Sequence, residues 1–533
     1  MPGHLIYING YPQLQGKSLG SSSLRYPGTD LQPHRLQSSW TMLFTDPVVV
    51  SWALGTTCLL GFLRLCSLWL RNPLKHIPGP WYTRITHYIL KWQTTIGRRM
   101  YYVHSLHEKY GTVVRISPYQ VAISDPDGFV AIHRIGSGFL KSPWYEEFVG
   151  DTGIGIGVFA TVDPVRHGVM RRLFSRAFST TSLRQNCEEV VREKVAKAIH
   201  RIKGEATHGS CDILHWSMLM TSDVIGQLAF GESFELLESG KKNEYIDTFQ
   251  LVGIGSYLKH ELPWLYAISH YIPLKPLRRM LNAGNSIREY GGRAVENLKR
   301  HRDNKSNLFA TALAECDAGD KAELTEDYIQ SEASNLIFAG ADTTAGTLTY
   351  LVWAVLRRPK LQARLEAEVA AVDDISIFND AFLEKLPLLN SVIDETLRLY
   401  GSIPANLPRV VPSKGAKFGD YKIPGGLEVE TQAYTLHRDE NVYPNALKFD
   451  ESRWMDPKML TPHQKSSFCP FGAGARVCIG QHLARMEIRM GAAVLFKQCP
   501  GLKLSSNMTD SMMEMENFFV IAPVGRRCDV TLQ

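Results

Sequence analysis

Closely spaced cysteines are absent from this sequence. Its nine cysteines are an odd number and include no Cys-x-x-Cys pair. This usage argues against a disulfide framework and against a zinc ribbon, and it fits the reducing cytosol. Except for one cysteine near the C-terminus, we predict that these thiols are inert packing residues.

Long runs of one charge are absent too. The net charge is +6 over 533 residues and is spread thinly, so nucleic acid is not a predicted partner. The glycine-rich run Gly153-Ile154-Gly155-Ile156-Gly157 does not supply a dinucleotide-binding fingerprint. Its third glycine is misplaced, and the flanking strand and helix signals are missing. The chain therefore has no recognisable nicotinamide or flavin site.

What the chain does have is apolar mass. With 44% hydrophobic residues it can bury the core of one large domain with appendages. Residues 1–41 are rich in Gly, Ser, Pro, Gln and Tyr and lack periodicity, which predicts a disordered tail. The same stretch is also explained by an upstream extension of the gene model, since Met42 immediately precedes the first apolar run.

Residues 47–70 are apolar apart from Arg64 and small polar residues. They can span a hydrocarbon layer of roughly 30 Å, so we predict a transmembrane anchor. A cleaved signal peptide is the alternative, but the segment is long for one and lacks a clear cleavage site. Basic residues follow the span more densely than they precede it, which predicts a cytosolic C-terminal domain. Residues 71–80 contain Pro73, Pro78 and Pro80 and predict a stiff, extended hinge.

The decapeptide Phe471-Gly-Ala-Gly-Ala-Arg-Val-Cys-Ile-Gly480 combines a thiol with residues that suit an iron ligand. Gly472, Gly474 and Gly480 allow backbone amides to approach the Cys478 sulfur, and Phe471 can cover it. Arg476 is expected to face a carboxylate. An isolated cysteine in such a turn would more often be a buried structural residue. A core helix is predicted after the loop, from apolar spacing between Leu483 and Val494.

This loop resembles the cysteine-ligand loop of the cytochrome P450 family, Phe-x-x-Gly-x-Arg-x-Cys-x-Gly, at every fixed position. The resemblance implies haem b with Cys478 as its axial thiolate, and a cofactor-binding loop that includes Phe471, Arg476 and Gly480. It also implies the family's fold, which is mainly α with small β-sheets, over residues 81–533.

An earlier pair, His167 and Arg171, lies four residues apart on one predicted helical face. By themselves such residues are more often exposed surface groups. Their position resembles the family helix in which Trp or His and a following Arg reach a haem propionate. Pro408 to Val411 predicts a strand, and the resemblance makes Arg409 another candidate propionate partner.

A long helix is predicted from Thr325, an N-cap followed by two acids, to Arg357 before Pro359. Its centre reads Ala339-Gly-Ala-Asp-Thr-Thr344, and polar groups inside an apolar helix are costly unless used or satisfied. Ala339 and Gly340 are expected to leave a groove, and the Thr343 hydroxyl can bond the helix backbone. The motif resembles the family's oxygen-activation motif, which implies that Asp342 and Thr343 deliver protons. A back-bonding threonine in a core helix is the alternative.

Glu395 and Arg398 lie three apart on a predicted helix, near enough to pair. A second arginine, Arg453, can share the carboxylate. The resemblance implies that Glu395, Arg398 and Arg453 form a structural triad. The family usually has Pro-Glu-Arg at the later site, whereas this chain has Glu451-Ser452-Arg453, so we expect a different local turn.

Taken together, the motifs resemble membrane-anchored P450s of fungal secondary metabolism. This implies a monooxygenase that uses O2, with NADPH-derived electrons from a separate reductase, to oxidise a lipophilic small molecule such as a terpenoid, polyketide or alkaloid. It also implies a single-pass protein of the endoplasmic reticulum. Two other functions stay open: a haem-thiolate isomerase or dehydratase that needs no O2, against which Asp342 and Thr343 argue, and a non-catalytic haem sensor.

Overall fold

A computed structural model describes residues 47–150, 155–241, 255, 259, 261–300, 307–310, 312 and 325–532. The predicted tail at residues 1–41 lies outside these ranges. The chain divides into two compact units, residues 1–66 and 67–533. In the first, an apolar helix begins at Pro47, as predicted. It forms α1, Pro47–Arg71, whose 25 residues include none that are buried. By length and composition α1 is a candidate transmembrane span.

The second unit is mostly helical. Its helices before the longest one are α2 Tyr88–Thr95, α3 Arg99–Tyr110, α4 Pro126–His133, α5 Trp144–Gly150, α6 Pro164–Ser175, α7 Thr180–Asn186, α8 Glu188–His208, α9 Ile213–Phe230, α10 Leu236–Ser239, α11 Pro263–Ser269 and α12 Lys275–Arg300. The longest helix and those after it are α13 Glu326–Leu356, α14 Pro359–Ala370, α15 Asp380–Leu383, α16 Pro387–Tyr400, α17 Ala433–Leu436, α18 Pro462–Ser467 and α19 Gln481–Gln498.

The sheets are small, as expected. The strands are β1 Val113–Ser117, β2 Gln120–Ile123, β3 Leu140–Lys141, β4 Cys211–Asp212, β5 Arg409–Val410, β6 Ala416–Phe418, β7 Tyr421–Ile423, β8 Glu428–Glu430, β9 Lys503–Leu504, β10 Met515–Phe518, β11 Val520–Pro523 and β12 Asp529–Thr531. The largest sheet has the order β1-β2-β8-β5-β3. Alternating apolar residues around Ser117-Pro118 predict a hairpin, and β1 and β2 form it, with Val113 opposite Ile123. The resemblance also predicts a β-rich end of the chain, where β9 to β12 lie.

Helix α13 is the centre of the unit. Thr325 caps it by accepting a hydrogen bond from the Tyr328 amide at 3.2 Å, and Glu326 and Asp327 occupy the first turn, so the predicted start is confirmed. Helix α9 packs along it so closely that a Cβ on Gly340 would lie 2.9 Å from Ile225. A buried hydroxyl, Thr221 Oγ1, donates to the Ala341 carbonyl at 2.8 Å across this contact.

Two helix bounds differ from the prediction. The sequence predicts helices over Gln185 to Ile202 and Met218 to Phe230, but the structure ends α7 at Asn186 and begins α8 at Glu188. The next helix begins at Ile213 rather than Met218, because Asp212 caps it through the Leu214 amide. Side-chain capping is a local signal that hydrophobic spacing alone does not reveal.

Residues 72–80 are not extended as the hinge prediction expected. They form turns in which Leu74 and Ile77 are buried. The buried Arg115 guanidinium donates to the carbonyls of Leu74, Ile77, Gly79 and Pro80. Prolines leave nearby carbonyls without regular backbone partners, and one arginine with five N–H groups satisfies several of them at once.

Candidate active site

The loop that contains Cys478 is closed by its own backbone. The Cys478 amide donates to the Phe471 carbonyl at 2.8 Å, so the two ends of the loop meet. Gly472 and Gly474 have φ of 71° and 65°, which side-chain-bearing residues adopt only at a cost. A Cβ on Gly474 would also collide with the His133 carbonyl. The glycines therefore serve the tight turn that the sequence predicted.

Cys478 is exposed by surface area, yet burial raises the pKa of its thiol. A thiol that is accessible but closely surrounded by protein lies at the wall of an opening in the fold. Hydrogen bonds from the amides of Gly480 and Gln481 and the positive charge of Arg171 act in the other direction and lower this pKa. The surroundings thus contain groups that favour the thiolate.

Helix α6 carries His167 and Arg171. Asp163 caps it by accepting hydrogen bonds from the amides of Val165 and Arg166 at 2.7 and 3.0 Å, which fixes the first turn. His167 is buried at 4% exposure, and burial, followed by Arg476, Arg171 and Lys141, lowers its pKa to about 3. His167 is thus a neutral imidazole surrounded by cationic groups, not a surface residue.

The cationic cluster is defined here as Lys141, Arg171, Arg409 and Arg476 together with the neutral His167 that they surround. Arg409 and Arg476 both lower the pKa of buried Lys141, after burial itself. Burial and then Arg409 lower the pKa of Arg476 to about 10. Among the described residues, none of the five makes an ion pair with a protein carboxylate.

Backbone carbonyls partly satisfy this cluster. Arg476 donates to the carbonyls of Thr161 and Val162 at 2.6 and 2.9 Å, so its protein partners are backbone oxygens and a carboxylate partner stays a prediction. Arg409 lies in β5 and donates to the Pro408 carbonyl at 2.9 Å. Hydrogen bonds to carbonyls do not neutralise charge, so the cluster favours an anionic ligand.

Lys141 was missed by the sequence reasoning. It lies in β3, opposite Arg409, and its ammonium group donates to the Phe159 carbonyl. The same group lies 3.8 Å from the centre of the Tyr145 ring. The sequence offers no local signal for it, because its place in the cluster depends on the pairing of β3 with the distant β5.

The predicted polar motif lies in the middle of α13, at a turn that is partly exposed. Ala339 is exposed although Ala341 and Thr344 nearby are buried. Thr343 Oγ1 donates to the Ala339 carbonyl at 2.7 Å, as predicted, and Asp342 is half-buried. Gly340 needs a correction: its missing side chain accommodates Ile225 of α9, so helix packing explains this glycine better than a groove.

Glu395 and Arg398 form a bidentate pair with no exposed side-chain surface. Arg398 Nε and Nη2 donate to the two carboxylate oxygens at 2.8 and 2.7 Å. Arg453 Nε lies 3.5 Å from Glu395 Oε1, an ion pair without hydrogen-bond geometry. The Trp454 indole completes the set at 2.9 Å. The three predicted residues therefore meet, and residues 451–454 form a 3-10 turn.

His437 extends this network to the cysteine loop. Burial lowers its pKa to about 3, so the ring is neutral. Nδ1 lies 2.8 Å from the Arg398 carbonyl, and Nε2 accepts from the Cys469 amide at 3.0 Å. Only the tautomer with the proton on Nδ1 serves both bonds. His437 thereby joins α16 to the segment that leads into the Cys478 loop.

The glycine-rich run packs on the first part of α13. Gly153 and Ile154 lie outside the described residues. A Cβ on Gly155 would meet the Ser331 hydroxyl, and one on Gly157 would meet the carboxylate of Glu332. Glu332 Oε2 accepts from the Val158 amide at 2.8 Å. These glycines permit close approach to a helix.

The donor set fits haem, the cofactor that the resemblance implies. An accessible thiol with amide donors is suited to ligate iron, and an uncompensated cationic cluster is suited to bind two propionates. Helix α13 packs against α19, which begins just after Cys478, so the exposed Ala339 turn and the cysteine loop belong to neighbouring elements.

Comparison with known proteins agrees with this chemistry. The family model described as Cytochrome P450 matches residues 78–525. The cytochrome P450 monooxygenase stcB of Emericella nidulans is 39% identical, over 86% of this chain and 89% of that protein. The cytochrome P450 monooxygenase aflV of Aspergillus parasiticus is 38% identical, over 86% and 92%. The methylphloroacetophenone oxidase of Cladonia uncialis is 33% identical, over 69% and 83%.

Proposed function

The chain belongs to the cytochrome P450 family and is a monooxygenase, and we propose that Cys478 is the thiolate that ligates its haem iron. The observation that carries this proposal is the Cys478 environment: an accessible sulfur, two amide donors from Gly480 and Gln481, and the charge of Arg171. Haem ligated by thiolate supplies the reductive cleavage of dioxygen that places one oxygen atom on a substrate.

The cationic cluster binds the haem carboxylates in this proposal. His167, Arg171, Arg409 and Arg476 are the residues implied by the family resemblance, and Lys141 is added on the strength of its burial beside Arg409. Two carboxylates would offset charges that otherwise repel each other in a poorly solvated region. Phe471 and Gly480 form the wall beside the sulfur.

Asp342 and Thr343 hold and deliver protons. Thr343 is half-buried at the exposed turn of α13, and its hydroxyl is held by the Ala339 carbonyl at 2.7 Å. A hydroxyl held in this way keeps its oxygen free to accept from a water or ligand. Asp342 adjoins it on the chain and can exchange protons with solvent water. Glu395, Arg398 and Arg453 stabilise the region behind the loop.

The substrate is a lipophilic small molecule of fungal secondary metabolism, a terpenoid, polyketide or alkaloid. Support comes from relatives of fungal origin named as P450 monooxygenases. One relative is named for the oxidation of methylphloroacetophenone, a small phenolic ketone, so aromatic polyketides deserve the first screen. Binding would be read from the ferric spin-state change that follows displacement of water.

Electrons come from NADPH through a separate reductase, since the sequence offers no nicotinamide or flavin fingerprint of its own. We place the protein in the endoplasmic reticulum membrane as a single-pass protein, with α1 as the anchor and the catalytic unit in the cytosol. The excess of basic residues just after the span supports this orientation.

Replacing Cys478 with Ser tests the proposal. The reduced, carbon-monoxide-treated wild type should show a Soret band displaced to the red, and Cys478→Ser should lose it while the far-ultraviolet helical signal is retained. Cys469→Ser is the matched control, because Cys469 is a buried thiol nine positions earlier. A red-shifted band that survives in Cys478→Ser would refute the assignment.

Two other functions were left open by the sequence: a haem-thiolate isomerase or dehydratase, and a non-catalytic haem sensor. Monooxygenation requires NADPH-dependent oxygen consumption with reductase present, and Thr343→Ala should divert it into peroxide release. Turnover of a hydroperoxide substrate without NADPH, indifferent to Thr343→Ala, would favour the isomerase. Haem binding without any turnover in the substrate screen would favour the sensor.

A further inference from the structure

A serine outside α13 bonds to the turn of α13 that carries Thr343. Ser402 follows α16 after Gly401 and is buried at 9% exposure. Its hydroxyl donates to the Thr343 carbonyl, with the oxygens 2.5 Å apart. The same hydroxyl lies 2.9 Å from Thr347 Oγ1. Ser402 therefore contacts the backbone of the proposed proton-delivering residue from a different element.

Thr347 takes part in the same group. Its hydroxyl lies 2.9 Å from the Thr343 carbonyl, so three oxygen–oxygen contacts join two hydroxyls and one carbonyl. Each hydroxyl has a single hydrogen, so only two of the three contacts can be hydrogen bonds at once. Both hydroxyls can donate to the carbonyl, or one donates to the carbonyl while the other donates to that hydroxyl, and each arrangement leaves the Thr343 carbonyl bonded.

The backbone of Ser402 is fixed as well. Its carbonyl accepts from the Ile521 amide at 2.9 Å, which attaches it to β11. Two positions later, the Pro404 carbonyl accepts from the Tyr434 amide at 2.9 Å. A backbone that is anchored at Ser402 and again at Pro404 has little freedom, so the Ser402 hydroxyl can set the position of the helix turn that it bonds to.

We propose that Ser402, acting with Thr347, is a positioning residue that sets the orientation of the Thr343 hydroxyl. A donor outside the helix that bonds a helix carbonyl tilts that peptide unit away from the ideal ladder. Because the carbonyl belongs to Thr343 itself, the tilt acts on the residue whose hydroxyl bonds the Ala339 carbonyl. The inference rests on the proposed role of Thr343.

A hydroxyl that serves only to pack a helix bonds within that helix and not to a distant segment. Thr349, two positions after Thr347, is also buried and back-bonds to the Ala345 carbonyl at 2.8 Å. Such an i to i−4 bond is common for threonine in helices. Ser402 is different because its bond to α13 joins residues 59 positions apart. Thr349 therefore provides the matched control, being a hydroxyl in the same helix without contact to Thr343.

The test uses the full-length, haem-loaded enzyme with carbon monoxide as the probe. The infrared C–O stretch of the reduced complex senses hydroxyl groups near the bound molecule. Thr343→Ala should shift this band. Ser402→Ala should shift it in the same direction and raise peroxide release per NADPH in the presence of reductase. Ser402→Thr, which keeps a hydroxyl, should leave the band position and the peroxide release at their wild-type values. Thr349→Val should leave both at their wild-type values.

The outcomes distinguish failure of the proposed function from failure of the inference about Ser402. If the wild type lacks the red-shifted carbon-monoxide band, the proposed function itself fails. If Thr343→Ala shifts the infrared band but Ser402→Ala does not, Ser402 is a structural contact and the inference is overturned. If Thr349→Val shifts the band as much as Ser402→Ala, a general loosening of α13 explains the effect and the inference is likewise overturned. Retention of the Soret band in each variant establishes that the protein is folded.

Discussion

Two groups of buried charge lie in this unit, and they are compensated in opposite ways. Around Glu395, a carboxylate meets two arginines, an indole N–H and a backbone amide. In the cationic cluster, Lys141, Arg409 and Arg476 repel one another, and their hydrogen bonds end on backbone carbonyls and on the Tyr145 hydroxyl rather than on carboxylates. The first group is complete within the chain, whereas in the proposed function the second takes its anion from outside. Compensation therefore separates residues that hold the fold from residues that we propose to bind haem.

The largest effect is expected from breaking the complete group. Glu395→Ala would leave the Arg398 guanidinium buried without a carboxylate, and such uncompensated charges cost about 3–5 kcal/mol. We expect a large fall in the thermal midpoint, measured by circular dichroism on the purified full chain. Glu395→Gln keeps the shape and one acceptor and should lose less. A midpoint for Glu395→Ala within a degree of the wild type would contradict the distinction.

A buried acid without a cation offers the next test. Burial, opposed by the Val158 amide and the Tyr328 hydroxyl, raises the pKa of Glu332 from the ordinary 4.5 of a glutamate to about 7. The folded state then keeps a proton that the unfolded state releases, so stability falls as pH rises from about 4.5 to about 7. The loss amounts to at most roughly 3 kcal/mol.

Glu332→Gln should remove this component of the pH dependence, so that the variant gains on the wild type as pH rises through that window. Thermal midpoints at a series of pH values measure the difference. Glu189→Gln, which changes an exposed carboxylate on α8, is the control and should run parallel to the wild type. Parallel curves for Glu332→Gln as well would show that the group ionises normally.

In the cationic cluster, removing one cation should have opposite effects on the stability of the haem-free protein and on haem retention. Lys141→Met should stabilise the haem-free protein, since it removes a buried amine beside two arginines. It should also weaken haem retention by a factor on the order of ten, the value of one charge-assisted hydrogen bond. Transfer of haem to apomyoglobin measures retention, and thermal unfolding of the haem-free chain measures stability.

Lys417→Met is the control for this prediction, because Lys417 is an exposed residue of β6. It should alter neither quantity. If Lys141→Met lowered both stability and haem retention, Lys141 would be a packing residue and the cluster would lose its fifth member.

The smallest effect is expected at an exposed edge of the complete group. Arg364 pairs with Glu451 at 2.6 Å, but its side chain is 54% exposed. Exposed ion pairs contribute less than about 1 kcal/mol, so Arg364→Gln should shift the thermal midpoint only slightly, and less in high salt. A shift comparable to that of Glu395→Ala would mean that the network extends to the surface.

Local signals accounted for much of what the sequence predicted. The Thr325 cap and its acids located the start of α13, and the alternation around Ser117 located the β1–β2 hairpin. The spacing of Glu395 and Arg398 predicted their pairing. Each of these depends on residues near one another in the chain, where geometry follows from helical or strand periodicity.

Contacts between distant segments could not be predicted in the same way. Lys141 joins the cationic cluster only because β3 pairs with β5, and Ser402 reaches Thr343 across 59 positions. The packing of Gly340 against Ile225 was not predicted, because α9 lies more than a hundred residues earlier in the chain. The prolines of residues 72–80 likewise did not indicate that this segment forms turns whose carbonyls accept hydrogen bonds from Arg115.

The fit of Gly155 and Gly157 against α13 has a consequence for enzyme engineering. Both positions accept no added carbon atom without moving Ser331 or Glu332, so libraries intended to broaden substrate range should leave them unchanged.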